Sequence, residues 1–425
     1  MTVVDVKLHE RSYTFEIGTD NLAELGPLAS RWCPLSHAVI ITDGNVEQPH
    51  ALAVASSLSE AGAAVDLLVV EPGEPTKTVA SAAGLWDKLL ELGTGRKSVI
   101  IAVGGGVVGD LAGFVAATFA RGLAYVQVPT TLLAQVDSSV GGKVGVNLAG
   151  AKNMVGAFWQ PAGVLIDTSV LDTLPEREYR AGLAEVVKYG VILDADFFSY
   201  LEAHAAELVN RDAGVLQHVI ARSCRLKADI VEVDERELTG RRVVLNYGHT
   251  FCHALETVTA YGRFLHGEAV AIGMACAARL AERLGRVDDA FTKRQQKLLL
   301  ALHLPVDFPA VDAVDHGRQE HILLRGEGRQ QVVGLKNDAK AESLAVSLRE
   351  ENPDTREIYL WLASLYTRSR RFDDAIQILE EWLKDHPEDL VVKKELTEMQ
   401  AFASANDSLN ISNSSSDSSS EKDSK

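Results

Sequence analysis

Hydrophobic residues follow an alternating pattern over the first 177 residues. Short apolar runs rich in β-branched residues are separated by alanine- and leucine-rich stretches such as Ala51–Ala63 and Val79–Leu92. The runs are His37–Thr42, Val65–Val70, Ser98–Val103, Tyr125–Val128 and Gly163–Asp167. Strands that alternate with helices predict an α/β domain of Rossmann-like type, with a largely parallel sheet covered by helices. We assign this domain to residues 1–177.

The pattern changes at about residue 178, where the β-branched runs stop. Longer stretches with helical periodicity follow up to about residue 310, and they predict an all-α domain. The predicted helices are Ala181–Leu193, Phe197–Val209, Val215–Val233, Thr250–Thr259 and Glu268–Leu284.

The rest of the chain has three parts. Residues 311–335 have no clear pattern and predict an irregular linker. Residues 336–402 contain a 34-residue unit, Arg356–Asp389, with the spacing of a tetratricopeptide helix pair, although an ordinary helical hairpin would share much of it. From Ser404 onward, ten of 22 residues are serine, so residues 403–425 are predicted to be disordered.

Composition narrows the classes of function. The chain has 425 residues, is 46% hydrophobic and 24% charged, and carries a formal net charge of −17. This balance predicts a soluble globular protein and argues against non-specific binding to nucleic acid or to an anionic membrane. The four cysteines form no CxxC pair and no apolar run reaches 18 residues. The charged stretch Met1–Arg11 includes no apolar core segment, so we expect no signal peptide and a cytoplasmic protein.

A glycine-rich turn, Gly104–Asp110, follows the predicted strand Ser98–Val103 and precedes a helix expected to begin at Asp110. Glycines let the backbone approach a pyrophosphate, and a helix N-terminus offers free N–H groups. A tight turn without a ligand is the alternative. Polar residues at the ends of neighbouring strands favour a nucleotide site, because open parallel sheets bind ligands there. These residues are Asp43, Asn45, Glu74, Lys77, Thr130 and Thr131.

Histidines indicate a metal site in the helical half. His249 and His253 are four residues apart and therefore share one helix face. Glu185, His249 and either His253 or His266 could form a two-histidine, one-carboxylate site for Zn²⁺ or another divalent ion. Spacing alone leaves the third ligand open. Cys252 lies between the two histidines and fits a buried filler better than a ligand.

Six cations recur near glycines or predicted helix ends. In an acidic protein they favour a pocket for phosphate or carboxylate, although each could be an ordinary surface charge. They are Arg121, Lys143, Lys152, Lys188, Lys227 and Arg242.

Over residues 1–305, these motifs closely resemble the 3-dehydroquinate synthase family of the sugar phosphate cyclase superfamily. The block Pro129–Asn147 is the most specific part of the likeness. The matching stretches are Glu71–Lys77, Gly104–Arg121, Pro129–Asn147, Lys152–Asn153, Glu185–Lys188, Asn246–Thr250 and His266–Val270.

The resemblance implies NAD⁺ in the first domain and Zn²⁺ or Co²⁺ in the second. It assigns the metal to Glu185, His249 and His266, and gives His253 an acid/base or hydrogen-bonding role facing the substrate. The implied NAD contacts are Asp43, Asn45, Glu74, Lys77, Gly105, Gly106, Val107, Val108, Gly109, Asp110, Thr130, Thr131, Lys143, Lys152, Asp172 and Thr173. The implied substrate pocket contains Arg121, Asp137, Lys143, Lys152, Asn153, Lys188, Lys227, Arg242 and Asn246, together with His253.

The resemblance also implies a lyase reaction of the shikimate route to chorismate and the aromatic amino acids. In it, 3-deoxy-D-arabino-heptulosonate 7-phosphate becomes 3-dehydroquinate and phosphate through transient NAD-dependent oxidation, elimination, reduction and aldol closure. A homodimer is expected from the family. Two alternatives remain: a sister cyclase whose sugar phosphate lacks a carboxylate, and a degenerate scaffold that binds a partner through the C-terminal helices.

The chain departs from the family after Leu304-Pro305. Family members carry a helix with paired lysines there, and this sequence has no such element. A substrate-binding lysine is therefore missing, unless Arg318 or Arg325 takes its place. We therefore expect lower activity than in a relative with the helix. The tetratricopeptide-like segment is also foreign to the family, and we expect it to bind a protein partner.

Overall fold

The computed structural model describes residues 1–148, 151–259 and 263–307, then 356–368, 371–397 and scattered positions between 342 and 400. The chain divides into two compact units, Met1–Gly328 and Arg329–Lys425. The predicted linker 311–335, the substitute cations Arg318 and Arg325, and the serine-rich tail 403–425 lie outside the described residues.

A seven-stranded sheet forms the centre of the first unit. Its strands are β1 (Thr2–Val6), β2 (Tyr13–Gly18), β3 (His37–Asp43), β4 (Ala64–Val70), β5 (Ser98–Gly104), β6 (Ala124–Pro129) and β9 (Gly163–Asp167). An antiparallel hairpin apart from the sheet consists of β7 (Lys143–Leu148) and β8 (Ala151–Phe158). The order in the sheet is β1-β2-β9-β6-β5-β3-β4, and every pairing is parallel except β1 with β2.

Helices cover both faces of this sheet. Successive side chains of a strand point to opposite faces, and in β3 Val39 and Ile41 join one apolar cluster whereas Ala38 and Ile40 join another. The helices that complete these clusters are α1 (Leu25–Trp32), α2 (Leu52–Glu60), α3 (Val79–Glu91) and α4 (Gly106–Thr118). Apolar burial on both sides explains why the central strands are continuous hydrophobic runs.

The second half of the first unit is helical, as predicted. Its helices are α5 (Glu176–Leu193), α6 (Ala195–Ala203), α7 (Ala205–Val209), α8 (Ala213–Val233), α9 (His249–Val258), α10 (His266–Arg283) and α11 (Asp289–Ala301). The α/β plus all-α fold class is therefore confirmed.

Several boundaries differ from the sequence-based predictions. The helix after the glycine-rich turn begins at Gly106 rather than Asp110. The predicted helix Phe197–Val209 is two helices that meet at His204. The sequence pattern also missed β1 and β2, which lie at one end of the sheet, and the hairpin β7–β8.

The second unit contains a helix pair, α12 (Arg356–Arg368) and α13 (Phe372–Asp385). Leu362, Ala363, Ala375, Leu379 and Trp382 form its small apolar core. These helices carry the residues from which a tetratricopeptide pair was predicted. Throughout the described residues, no helix is both long and apolar enough to cross a membrane.

Candidate active site

The carboxyl ends of β3, β5 and β6 lie side by side at one edge of the sheet. Asp43 ends β3, and its Oδ1 accepts a hydrogen bond from the backbone N–H of Asn45 at 2.9 Å. Thr130, 2% exposed, follows β6 and donates its backbone N–H to the carbonyl of Gly104 at 3.0 Å. The parallel pairing therefore brings these predicted residues to one edge, as expected for a ligand site in an open α/β sheet.

The glycine-rich turn connects β5 to α4 at the same edge. A Cβ added at Gly104 would lie 2.6 Å from the Val108 side chain, and one at Gly105 would lie 3.0 Å from Thr131 Cγ2. Only glycine fits this close packing at Gly104. The first N–H groups of α4 have no partner within the helix, and its dipole places positive charge there, which suits a phosphate group.

A polar network lies beside this turn. Lys77, 5% exposed, donates to Oδ2 of Asp110 at 3.0 Å, and its Nζ lies 3.4 Å from Oε1 of Glu74. Asn147 Nδ2 donates to the same Glu74 oxygen at 2.7 Å. The network ties the segment after β4 to α4 and to β7.

The predicted residues Asp172 and Thr173 lie on the short 3-10 helix Thr168–Thr173 that follows β9. Thr173 Oγ1 is 2.8 Å from His50 Nε2, so this segment contacts the one that follows β3. Asp172 and Thr173 therefore also lie beyond the carboxyl end of a sheet strand.

Glu185, His249 and His266 converge. Their ligand atoms lie within 4.8 Å of one another; Nε2 of His249 is 3.6 Å and Nε2 of His266 is 3.9 Å from Glu185 Oε1. Glu185 is 0% exposed, and no described residue hydrogen-bonds its Oε1. A buried carboxylate oxygen facing two imidazole nitrogens fits a divalent cation.

Hydrogen bonds orient both imidazoles. His249 Nδ1 is 3.3 Å from the carbonyl oxygen of Tyr247, and His266 Nδ1 is 3.1 Å from Oε1 of Glu256. Both oxygens accept, so each Nδ1 donates its hydrogen and Nε2 is the ring nitrogen that faces Glu185. Burial also lowers the pKa of His249, which favours the neutral form that metals bind.

His253 occupies a different position. It lies one turn beyond His249 on α9 and is exposed, and the two ring centroids are 5.6 Å apart. Among the described residues, the Glu185 cluster includes His249 and His266 but not His253. His253 is adjacent to the cluster and accessible.

Two lysines surround Asp137 between the sheet and the helices. Lys227 Nζ donates to Oδ1 of Asp137 at 2.7 Å, and Tyr189 donates its hydroxyl to the same oxygen at 2.6 Å. Although burial alone raises the pKa of a carboxyl, the nearby charges of Lys227 and Lys188 lower the pKa of Asp137 and keep it ionised. Lys188, 2% exposed, also pairs with Glu185.

Lys143 and Arg242 share one carboxylate. Glu237 Oε1 lies 2.5 Å from Lys143 Nζ and 3.7 Å from Arg242 Nη1. Arg242 is only 5% exposed, and its Nε has no hydrogen-bond partner in the described part of the chain. These two cations therefore face a common anion position.

The remaining predicted residues vary in placement. Lys152 and Asn153 lie on β8 and are exposed; the Asn153 backbone N–H donates to Asn147 Oδ1 at 2.8 Å. Asn246 is exposed and ends the 3-10 helix that begins at Arg241. Arg121 lies beyond the C-terminal end of α4, about 20 Å along the helix from the glycine-rich turn, so this chain does not bring it to the others.

Sequence reasoning did not assign roles to Glu256, Glu237 or Tyr189. Of the three, only Glu256 could have been found from the sequence pattern. His249, His253 and Glu256 occupy positions i, i+4 and i+7 of α9 and so share one helix face. Glu237 and Tyr189 acquire their contacts from tertiary packing.

Comparison with known proteins agrees with this geometry. Residues 67–181 match the sequence model of the 3-dehydroquinate synthase N-terminal region, residues 182–320 match that of the C-terminal region, and residues 337–394 match a tetratricopeptide repeat. A 3-dehydroquinate synthase from Rhodopirellula baltica is 44% identical over 366 residues, which are 82% of this chain and 98% of the relative. The chain belongs to the 3-dehydroquinate synthase family.

Two solved cyclase structures share the fold. One is 2-deoxy-scyllo-inosose synthase complexed with carbaglucose-6-phosphate, NAD⁺ and Co²⁺, with a TM-score of 0.70 and 29% identity over 79% of this chain and 89% of that one. The other is 2-epi-5-epi-valiolone synthase from Streptomyces hygroscopicus with NAD⁺ and Zn²⁺ bound, with a TM-score of 0.68 and 29% identity over 81% and 99% of the two chains.

Gly267 lets α10, which carries His266, pack closely on α5, which carries Glu185. A Cβ at Gly267 would lie 1.9 Å from the carbonyl oxygen of Ala181 on α5. We therefore expect Gly267→Ala to push α10, which begins at His266, away from α5. This overpacking should lower the free energy of unfolding by about 1–3 kcal/mol, measured by urea denaturation.

Gly84→Ala is the matched control, because Gly84 also lies inside a helix but has no atom within 4 Å of an added Cβ. It should leave stability unchanged or raise it by up to about 1 kcal/mol. Wild-type stability in Gly267→Ala would contradict the close helix crossing.

Proposed function

We propose that this chain is a phosphate-eliminating cyclase that converts 3-deoxy-D-arabino-heptulosonate 7-phosphate to 3-dehydroquinate and inorganic phosphate. The convergence of Glu185, His249 and His266 is the observation on which this proposal mainly depends, and Gly182 of the helix that carries Glu185 packs closely on Leu132 just after β6. Identity of 44% over nearly the whole length of a 3-dehydroquinate synthase supports the same reaction.

The residues present fit both cofactors that the cyclase neighbours contain. The strand edge would hold NAD⁺, with Gly105 to Asp110 at its phosphates and Asp43, Asn45, Glu74, Lys77, Thr130, Thr131, Asp172 and Thr173 around the rest. Glu185, His249 and His266 would hold Zn²⁺ or Co²⁺. When bound, the two supply a hydride acceptor and a Lewis acid for temporary oxidation of a substrate alcohol.

The chain's own residues bind and orient the substrate. Lys143 and Arg242 already converge on the Glu237 carboxylate, so they can hold an anionic group of the substrate at that position. Lys188 and Lys227 add positive charge beside Asp137. We assign Lys152, Asn153 and Asn246 to the same pocket.

His253 is proposed to move protons. It is exposed next to the Glu185 cluster, and an imidazole can accept a proton in its neutral form and donate one in its protonated form. Holding the substrate in a fixed orientation beside these groups can lower the activation barrier of the reaction by several kcal/mol.

Three further assignments follow the family alone: the lyase class with its place in the shikimate route, a homodimer, and a cytoplasmic location. Arg121 lies beyond the C-terminal end of α4, away from the other residues proposed for the substrate pocket. Its place in that pocket therefore stays a prediction from the family resemblance.

Phosphate release tests the proposed reaction. The full chain should release phosphate from the heptulosonate phosphate when NAD⁺ and either Zn²⁺ or Co²⁺ are present. Chelation of the metal should abolish this release, and adding the metal back should restore it. His249→Ala should lower turnover at least about 100-fold, because a Lewis acid contributes several kcal/mol. The exposed His218 on α8 provides the control, and His218→Ala should retain activity.

Two outcomes would refute the proposal in different ways. Release that is indifferent to chelation and to His249→Ala would exclude metal dependence. Turnover of a sugar phosphate without a carboxylate, and not of the heptulosonate phosphate, would indicate the sister cyclase instead.

We further propose that the tetratricopeptide-like unit binds a protein partner and does not take part in catalysis. Its helix pair α12–α13 has its own apolar core, and residues 329–425 form a unit separate from the one that contains the site. Deletion of residues 336–425 should therefore leave kcat and KM within about twofold of the full chain. Loss of activity in a folded truncated protein would assign the unit a catalytic role.

A further inference from the structure

We infer that Glu256 is a positioning residue for the metal site: it holds His266 in the orientation and tautomer that present Nε2 to the cation. This inference rests on the proposed function, because it requires a metal at Glu185, His249 and His266. Glu256 is not one of these three proposed ligands.

The contact is direct. His266 Nδ1 lies 3.1 Å from Glu256 Oε1, while Nε2 of the same ring lies 3.9 Å from Glu185 Oε1. The imidazole therefore bridges two carboxylates, one at each nitrogen. A carboxylate only accepts, so the Nδ1–H of His266 donates to Glu256 and Nε2 is the nitrogen left to bind a metal.

Glu256 is itself well placed for this task. It is 8% exposed, so water competes little for its oxygens. It follows His249 by seven residues on α9 and so lies on the same helix face. One face of α9 thus supplies one proposed ligand and orients the ligand that begins α10.

A second ion at Glu256 is the competing interpretation. Cys252, Glu256 and His266 also form a compact group, with Cys252 Sγ 3.8 Å from His266 Nδ1. However, a neutral imidazole has one lone pair. If Nδ1 bound an ion, Nε2 would carry the hydrogen and His266 could not join Glu185 and His249. The 3.1 Å contact to Glu256 is a hydrogen-bond distance and favours the orienting role.

Metal affinity tests this role without reference to turnover. Metal-free full chain is titrated with Zn²⁺ against a chromogenic chelator, and the Co²⁺ form is followed by its visible spectrum. Glu256→Ala removes the acceptor, so its Zn²⁺ affinity should fall about 10–100-fold and its Co²⁺ spectrum should change. Glu256→Gln keeps an acceptor oxygen of similar reach, so its affinity should stay closer to that of the wild type.

Asp66 offers a matched control. Its Oδ2 lies 2.9 Å from Nε2 of His37, the same kind of histidine–carboxylate pair, at the opposite ends of β3 and β4 from the site. Asp66→Asn should bind Zn²⁺ as the wild type does. His266→Ala should lose a ligand and bind much more weakly than any Glu256 variant.

The possible failures are distinguishable. Wild-type Zn²⁺ affinity and an unchanged Co²⁺ spectrum in Glu256→Ala would overturn the role of Glu256 alone. A second equivalent of metal, lost in Glu256→Ala, would show that Glu256 is a ligand. No metal binding by the wild type, or none of the expected loss in His266→Ala, would instead overturn the proposed metal site.

A measurement on the wild type covers the case in which Glu256→Ala does not fold. In the Zn²⁺ form labelled with ¹⁵N-histidine, the ring signal that disappears in His266→Ala should show the hydrogen on Nδ1. A hydrogen on Nε2 of that ring would contradict the inference.

Discussion

The buried carboxylate of Glu185 is the constraint on which the active-site geometry depends. An ionised group with no solvent exposure is costly unless charges or donors surround it. Lys188 provides one positive charge from the next turn of α5. Nε2 atoms of His249 and His266 approach from α9 and α10 at 3.6 and 3.9 Å, where they cannot neutralise Glu185 without a proton or a cation. The proposed divalent metal would neutralise this arrangement and would also supply a Lewis acid there.

Helix α5 connects that carboxylate to the edge of the sheet that carries the glycine-rich turn. At Gly182 it packs so closely on the segment after β6 that an added Cβ would lie 2.7 Å from Leu132. Two turns later Tyr189 donates to Asp137 at 2.6 Å, and the adjacent Ser138 lies 3.1 Å from the Cβ position of Gly106. A short series of packed residues therefore fixes the proposed metal relative to the glycine-rich turn. This rigidity suits a reaction in which one alcohol must face two cofactors at once.

Much of this could be predicted from the sequence, and the exceptions have physical causes. The central strands were predictable because burial on both faces requires continuous apolar runs. Strands β1 and β2 were missed because they lie at the end of the sheet and carry alternating, partly exposed residues. The sequence predicts the start of α4 at Asp110, four residues after the observed start at Gly106. Glycine has a low helix propensity, so the first turn of α4 forms only because tertiary packing stabilises it. Among site residues, resemblance supplied the positions, but the orienting contact of Glu256 depends on how α9 meets α10.

The most direct test of this account is a crystal structure of the full chain with NAD⁺ and Zn²⁺, with the metal located by anomalous scattering at the zinc edge. The account predicts one strong peak about 2.0–2.2 Å from a Glu185 oxygen and from Nε2 of both His249 and His266, with NAD⁺ phosphates at the N-terminus of α4. A zinc peak held by other residues, or NAD⁺ bound away from the Gly104–Asp110 turn, would contradict it.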